Sequence, residues 1–221
     1  IIGDQIRIGA LTRHVEVENS ADIAKYVPIM AIAMPLIAHP AIRNRGTIGG
    51  SIAMADPAAE LPACLCALDG EIEITGPAGI RDVAANDFFK SLYETDAGDK
   101  DIITAIKIPK LGKGYRSAFD ELARRHGDYA MCGVAAHGKV IENIISDLRL
   151  VFFAVGGRPV IAKNAMDALE GTSVSEDSLV VIQNALEDDL DTFSDLHCSA
   201  KLRMHYAKVL TNRVLNSLVK S

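Results

Sequence analysis

Tryptophan is absent, and aromatic residues make up only 5% of the 221 positions. A ligand site in this chain must therefore rely on tyrosine, phenylalanine and aliphatic side chains. Positive charge is also short: 23 Lys and Arg against 29 Asp and Glu give a formal charge of -6. That leaves no basic surplus for neutralising phosphates, so nucleic acid is excluded as a main partner. No apolar run reaches the roughly 18 to 20 residues of a membrane span. The opening residues, Ile1 to Ala10, form neither a charged leader nor an apolar signal core, so a cytoplasmic location is expected.

Cysteine is scarce as well. Cys64 and Cys66 make a C-x-C without a second pair, and Cys132 and Cys198 stand alone. This spacing offers neither a zinc nor an iron-sulfur site, and all four are expected as free, buried thiols. The histidines, His14, His39, His126, His137, His197 and His205, lack any metal-binding spacing and read as surface or capping residues. There is no G-x-G-x-x-G, no G-x-x-x-x-G-K-[ST] and no G-x-S-x-G. Rossmann, P-loop and serine-hydrolase chemistry are thereby unsupported, and no catalytic residue or metal ligand is expected.

What is present is an ordinary globular composition, 49% apolar and 24% charged, long enough for two compact units. Ile6 to Ala10 alternates like a strand, Ser20 is a candidate helix cap, and Pro28 restarts that helix. Ile29 to Ala38 is apolar on every side, which predicts a buried helix stopping at His39-Pro40. Glu71 to Thr75 and Ile102 to Ile108 read as strands, the first followed by a turn from Gly76-Pro77 to Gly79. The glycines and lysines of Lys110 to Gly114 mark a boundary, dividing the chain into units 1–114 and 115–221. Three more strands are predicted at Ala118 to Arg124, Tyr129 to His137 and Asp147 to Val155, with a tight connection near Gly138. Helices follow at Pro159 to Leu169, Glu176 to Leu186 and Ser199 to Val219. Strands first and helices afterwards give an α+β unit with helices on one side of a small antiparallel sheet. The acidic run Glu187 to Asp191 reads as a solvated helix end, and the Arg and Lys of the last helix as its solvated face.

The most informative stretch is AHPAIRNRGTIGGSIAMADPAAELPA, from Ala38 to Ala63. Thr47-Ile48-Gly49-Gly50-Ser51 sets two glycines between hydroxyl side chains. Glycine permits positive φ and close approach, and successive N–H groups with two hydroxyls can surround a diphosphate. A tight turn or packing point explains the same pentapeptide without a ligand. Asp56-Pro57 reads as a helix cap and first helical residue, or alternatively as an acceptor for a ribose or adenine. Arg43 and Arg45 can neutralise phosphate or pair with surface carboxylates.

The run AIRNRGTIGGSIAMADPAAELPA resembles the second FAD-binding segment of the medium subunits of molybdenum hydroxylases of the carbon monoxide dehydrogenase and xanthine dehydrogenase type. A second stretch, DELARRHGDYAMCGVAA from Asp120 to Ala136, resembles the opening of the C-terminal domain of those subunits. SAKLRMHYAKVLTNRVL, Ser199 to Leu215, is similar to their last helix. The resemblance implies a PCMH-like FAD-binding portion with antiparallel sheet and helices, then a domain with a three-stranded antiparallel sheet and a helical bundle. It implies that Thr47, Ile48, Gly49, Gly50 and Ser51 hold the FAD diphosphate, that Asp56 contacts the adenosine part, and that Tyr129 lies against the isoalloxazine ring. Ser51 stands where many relatives have asparagine.

The implied role is that of an oxidoreductase component. Its FAD takes electrons from the [2Fe-2S] clusters of a small subunit, fed by a large molybdopterin subunit, and passes them to an external acceptor. The usual setting is a dimer of heterotrimers. The family's A-G-G-x-[ST]-L loop, which holds the other side of the diphosphate, does not occur in these residues. The rival expectation is therefore a truncated assembly module that keeps the fold without holding flavin.

Overall fold

The computed structural model describes residues 1–220. The chain opens on β1 (Gln5–Gly9) and crosses six short helices, α1 (His14–Glu18), α2 (Ala21–Tyr26), α3 (Pro28–Ala33), α4 (Pro40–Arg43), α5 (Ile48–Met54) and α6 (Glu60–Ala67). Then come β2 (Glu71–Gly76), β3 (Gly79–Ala84), α7 (Ala85–Phe88), β4 (Phe89–Ser91), β5 (Glu94–Thr95) and β6 (Ile102–Pro109). Beyond Gly114 lie β7 (Tyr115–Ala123), β8 (Ala130–Ile141), β9 (Ile144–Phe153) and β10 (Val160–Ile161). The chain continues through α8 (Lys163–Leu169), β11 (Thr172–Ser173), α9 (Glu176–Asp189) and α10 (Ala200–Lys220).

Two larger antiparallel sheets organise these elements, beside a two-stranded one of β4 and β5. The first has the order β1-β6-β2-β3; the second runs β10-β9-β8-β7, with β11 also on β9. The three long strands of the second sheet are those expected from sequence, extended by two strands of two residues each.

Local chemistry accounts for most boundaries. Ser20 caps α2 by accepting from Ile23 N at 3.3 Å, and Pro28 occupies the first turn of α3, where its missing N–H costs nothing. The single buried helix expected over Ile29 to Ala38 does not form. Pro35 removes a donor and crowds the preceding turn, so α3 ends at Ala33 and gives way to a 3₁₀ turn at Met34–Leu36. Ala38 then adopts φ +49°. The connection between β8 and β9 is also displaced from Gly138. It falls at Glu142-Asn143, both at positive φ, as a two-residue hairpin turn requires. Gly138 sits instead within β8 at a register shift, where an added Cβ would come 3.2 Å from Leu148 Cα.

The helices that follow the second sheet pack on one of its faces, as the strand-then-helix order suggests, and the first unit covers the other. Val134, Leu150 and Phe152 pack with Leu210, Val214 and other residues of the helices after it. Phe119, Ala135, Val151 and Phe153 belong to the core of the first unit, with Ile29, Leu61 and Leu65. Burying each such phenylalanine contributes about 1.5–3 kcal/mol.

Two charge readings are corrected by packing. Arg203 is not on a solvated face: it is 1% exposed and binds Asp195 and the carbonyls of Phe193, Met131 and Ala154. Asp189 is more than a solvated helix end, since it accepts from the backbone N of Asn164 and Ala165 and so caps the first turn of α8. All four cysteines are free and buried. No described helix is long and apolar enough to cross a membrane.

Candidate functional site

Thr47 caps α5, its Oγ1 accepting from Gly50 N at 3.2 Å. Ile48 N donates to Thr12 O at 2.9 Å, Gly49 N to Ala10 O at 2.8 Å and Ser51 N to Thr47 O at 3.1 Å. The first two of these N–H groups thus already hold the turn against the residues that follow β1. Neither Gly49 nor Gly50 has positive φ; both lie in the first turn of α5. Gly49 is required by proximity, because an added Cβ would sit 2.5 Å from Ala10 Cβ and 2.9 Å from Ala10 O. Ile48 is a core residue with no exposure. With Gly50 N spent on Thr47 Oγ1, what the turn has left to offer a ligand is the Thr47 hydroxyl proton and the Ser51 hydroxyl.

His14 fastens the same turn from below. Its backbone N donates to Gly46 O at 2.9 Å, and its Nε2 lies 3.0 Å from Thr47 O. With that nitrogen as donor, Nδ1 is a lone-pair acceptor; it is buried and has no hydrogen-bond partner among the described residues. Burial lowers the His14 pKa, which favours the neutral ring. Arg43, read as a possible phosphate ligand, is consumed structurally. Its guanidinium forms a two-pronged pair with Glu18 at 2.8 and 3.0 Å and also holds the carbonyls of Ile37 and Ala38. Arg45 is exposed.

Beyond the turn opens a cleft of about 360 Å³ between the first unit and the loop before β8. Ser51, Asp56 and Tyr129 line it together, joined by His14, Glu60 and Gly127. Thr47, Ile48, Gly49 and Gly50 are not among its lining residues. Tyr129 is 68% exposed and offers its ring to the cleft rather than to a core. Asp56 does not cap a helix: its Oδ1 accepts from Ala58 N at 2.9 Å in an Asx turn, and α6 begins only at Glu60. The Tyr93 hydroxyl lies 3.4 Å from Asp56 Oδ2.

The backbone around the cleft is strained. Ala38 and Ala55 both sit at φ +49°, a region alanine enters at a cost of order 1–3 kcal/mol and which clusters at ligand sites. Gly127, at φ +78°, approaches so closely that an added Cβ would come 2.6 Å from Ala38 O. This glycine brings the second unit against the first and sets the width of the cleft.

Sequence reasoning missed Glu60 and Glu121. Burial pushes the Glu60 carboxyl up to about 7, with Asp56 adding to the effect; burial likewise pushes Glu121 up to about 8, with Glu60 and Asp120 adding. The signal for Glu60 was visible in hindsight, a lone acid opening the otherwise apolar ELPACLCA. Nothing local marks Glu121.

These shifts have a stability consequence. Both carboxyls bind protons more tightly folded than unfolded, so their own contribution to stability is fully present below the ordinary carboxylate range. That contribution declines as pH rises from about 4.5 towards 8. Glu121→Gln is expected to flatten that decline and to raise stability at pH 8 by on the order of 2 kcal/mol. Urea denaturation of both forms at pH 5 and pH 8 measures it; an equal pH dependence in the two would count against the shift.

The cleft's chemistry can be tested against a flavin. Among its described lining residues none is Lys or Arg, and Asp56, Glu60 and Asp128 supply acceptors. Such a site suits a flat neutral ring with N–H and hydroxyl donors, set against the Tyr129 ring, and does not suit a phosphate. The diphosphate would belong outside, at the Thr47–Ser51 turn.

Known proteins bear on the same surfaces. The family described as FAD binding domain in molybdopterin dehydrogenase matches residues 2–111, and the CO dehydrogenase flavoprotein C-terminal domain matches residues 117–218. The nicotine 6-hydroxylase medium subunit of Paenarthrobacter nicotinovorans is 36% identical over 214 residues, covering 97% of this chain and 75% of that protein. The chain belongs to the medium-subunit family of molybdenum hydroxylases. This medium-subunit homologue is also 33% identical to the carbon monoxide dehydrogenase medium chain of Afipia carboxidovorans, over 96% of its length and 74% of the relative's. Among solved structures, carbon monoxide dehydrogenase from Hydrogenophaga pseudoflava superposes with a TM-score of 0.95 at 30% identity, covering 99% of this chain and 76% of that one. Quinoline 2-oxidoreductase from Pseudomonas putida 86 gives 0.94 at 34% identity, covering 100% and 76%. The α+β fold with antiparallel sheets is that of these medium subunits. The family is one of oxidoreductase components, with FAD as its cofactor.

Proposed function

We propose that this chain holds FAD and serves as the electron exit of a molybdenum hydroxylase. On this reading it receives electrons from [2Fe-2S] clusters on a small partner subunit, in a complex whose large subunit carries molybdopterin. The observation that carries the reading is the cleft in which Ser51, Asp56 and the exposed Tyr129 converge. FAD supplies the ability to accept single electrons and release one or two.

The chain's own residues bind and orient. Thr47 and Ser51 offer hydroxyls to the diphosphate beside Gly50, while Ile48 and Gly49 anchor the turn to β1. Tyr129 covers the isoalloxazine ring, excluding water from one face. Asp56 shares the cleft with Tyr129, which favours a contact with the ring or ribityl chain over the adenosine contact that the resemblance implies. The two units are assigned as 1–114 and 115–221, each contributing one wall. Assembly as a dimer of heterotrimers completes the proposal.

The test is the visible absorption spectrum of the purified chain after incubation with FAD and removal of free ligand. A retained flavin band is expected; none, across several FAD concentrations, would favour the non-flavin assembly module. Tyr129→Ala is expected to weaken FAD binding about tenfold, the worth of one aromatic contact, whereas Tyr129→Phe stays near wild type. Fluorescence titration of FAD against the three proteins measures this, and equal affinities would remove Tyr129 from the site.

A further inference from the structure

Leu92 and Tyr93 form the two-residue turn between β4 and β5. Ser91 and Glu94 close it at its base, paired across the strands and joined by Ser91 Oγ donating to Glu94 Oε2 at 2.8 Å. The second unit holds the hairpin in place. Arg158 Nη1 donates to Phe89 O at 3.2 Å, and Leu92 passes so near Gly157 that an added Cβ there would stand 3.4 Å from Leu92 N.

Tyr93 sits in this turn at φ +56°, a conformation that glycine or asparagine ordinarily fills and that a bulky side chain enters only against strain. Packing does not account for tyrosine here, because the residue is 55% exposed. What the side chain does make is a long-range polar contact, its hydroxyl donating to Asp56 Oδ2 at 3.4 Å. Asp56 lines the cleft, and the residue before it, Ala55, is also at positive φ. Left-handed backbone thus carries one end of the contact and adjoins the other, and such outliers cluster at ligand sites.

The two oxygens of Asp56 are divided. Oδ1 accepts from Ala58 N at 2.9 Å, which ties the carboxylate to its own turn, and Oδ2 accepts from Tyr93. A carboxylate has about four lone-pair sites, so roughly two remain for the donors of a ligand. Held at both oxygens, the group is oriented before a ligand arrives and binds without the cost of being ordered. The Asp56 charge in turn pushes the Tyr93 pKa up, which keeps the phenol protonated as a donor. Tyr93 is not among the residues lining the cleft, so any effect it has on a ligand passes through Asp56.

We propose that Tyr93 is a positioning residue for flavin binding: its hydroxyl holds Asp56 Oδ2 so that the carboxylate meets an N–H or O–H donor of the ring or ribityl chain. The proposal rests on the flavin reading. Tyrosine occupies a turn position suited to glycine or asparagine for the sake of that hydroxyl.

Fluorescence titration of the full chain with FAD and calorimetry of the flavin-free protein test this together. Tyr93→Phe is expected to weaken FAD about fivefold, the worth of one modest hydrogen bond, and to leave the unfolding midpoint unchanged. Tyr93→Asn should lose the same affinity while raising the midpoint, because asparagine tolerates the left-handed turn. In an Asp56→Ala background, Tyr93→Phe should cost no further affinity, since the two residues act as one unit. Wild-type affinity in Tyr93→Phe, or a second fivefold loss on top of Asp56→Ala, overturns this inference and leaves the flavin reading standing. So does a lowered midpoint in Tyr93→Asn with FAD affinity intact, which is the signature of a merely structural tyrosine. Should the Asp56 variant fail to fold, Tyr93→Phe alone still decides the matter. Failure of the wild-type chain to retain FAD overturns the flavin reading first and this inference with it.

Discussion

Replacing Arg203 with methionine is expected to lower stability by about 3–5 kcal/mol, among the largest losses any single substitution in this chain can cause. The side chain is 1% exposed and makes four hydrogen bonds to protein acceptors. Nε binds Phe193 O at 3.1 Å, Nη1 binds Met131 O at 2.6 Å and also Ala154 O, and Nη2 binds Asp195 Oδ2 at 2.6 Å. The Phe193 ring lies 4.2 Å from the guanidinium carbon. Methionine fills similar space but leaves three carbonyls and a carboxylate without that donor. At roughly 2–4 °C per kcal/mol for a chain of this size, the midpoint of thermal unfolding should fall by roughly 6–20 °C. A fall under about 2 °C by calorimetry would show that water replaces the guanidinium, and that the network is dispensable.

Gly49→Val is expected to do comparable damage by a different route. Its Cβ would meet Ala10 Cβ at 2.5 Å and the Ala10 carbonyl oxygen at 2.9 Å, and backbone cannot swing aside as a flexible side chain can. The turn must then leave β1, breaking the Gly49 N to Ala10 O bond and moving Thr47 and Ser51 with it. Flavin retention should be lost along with several kcal/mol of stability. Gly50→Ala is the informative contrast, since its Cβ meets only Thr47 Oγ1 at 3.0 Å, and a small adjustment of that hydroxyl accommodates it. Retained FAD in the valine variant would overturn the role given to this turn; equal losses in both would mean that glycine is needed for ligand approach at Gly50 as well.

Much of the fold was legible because its signals are local. Alternation marked β1 and β6, strand-like stretches marked β2, β7, β8 and β9, and Ser20 and Pro28 marked helix starts, each within a residue or a few of the observed boundary. Pro35 imposes a break that the uniformly apolar run around it conceals. Gly138 drew the hairpin turn because glycine is the usual turn signal, whereas the turn uses Glu142-Asn143, with asparagine supplying the left-handed tolerance. The site was legible in a different manner. Thr47 to Ser51 and Tyr129 were singled out by resemblance, and Ser51, Asp56 and Tyr129 do share one cleft. Glu121 and Arg203 could not be read, because the meaning of each lies in partners from distant parts of the chain.

The second sheet, with one face in each core, has a consequence for how the molecule comes apart. Val134 faces the C-terminal helices and Ala135, next to it, faces the helices of the first unit. Neither half can therefore melt without stripping cover from the central strand, so the chain should behave as one cooperative block despite two sheets. The amide protons of Cys132 to Ala136 should exchange with solvent only through whole-molecule opening, at the slowest rates in the protein. A chain cut near Gly114 would give two fragments that each expose half of a core, and they should find each other again rather than fold apart.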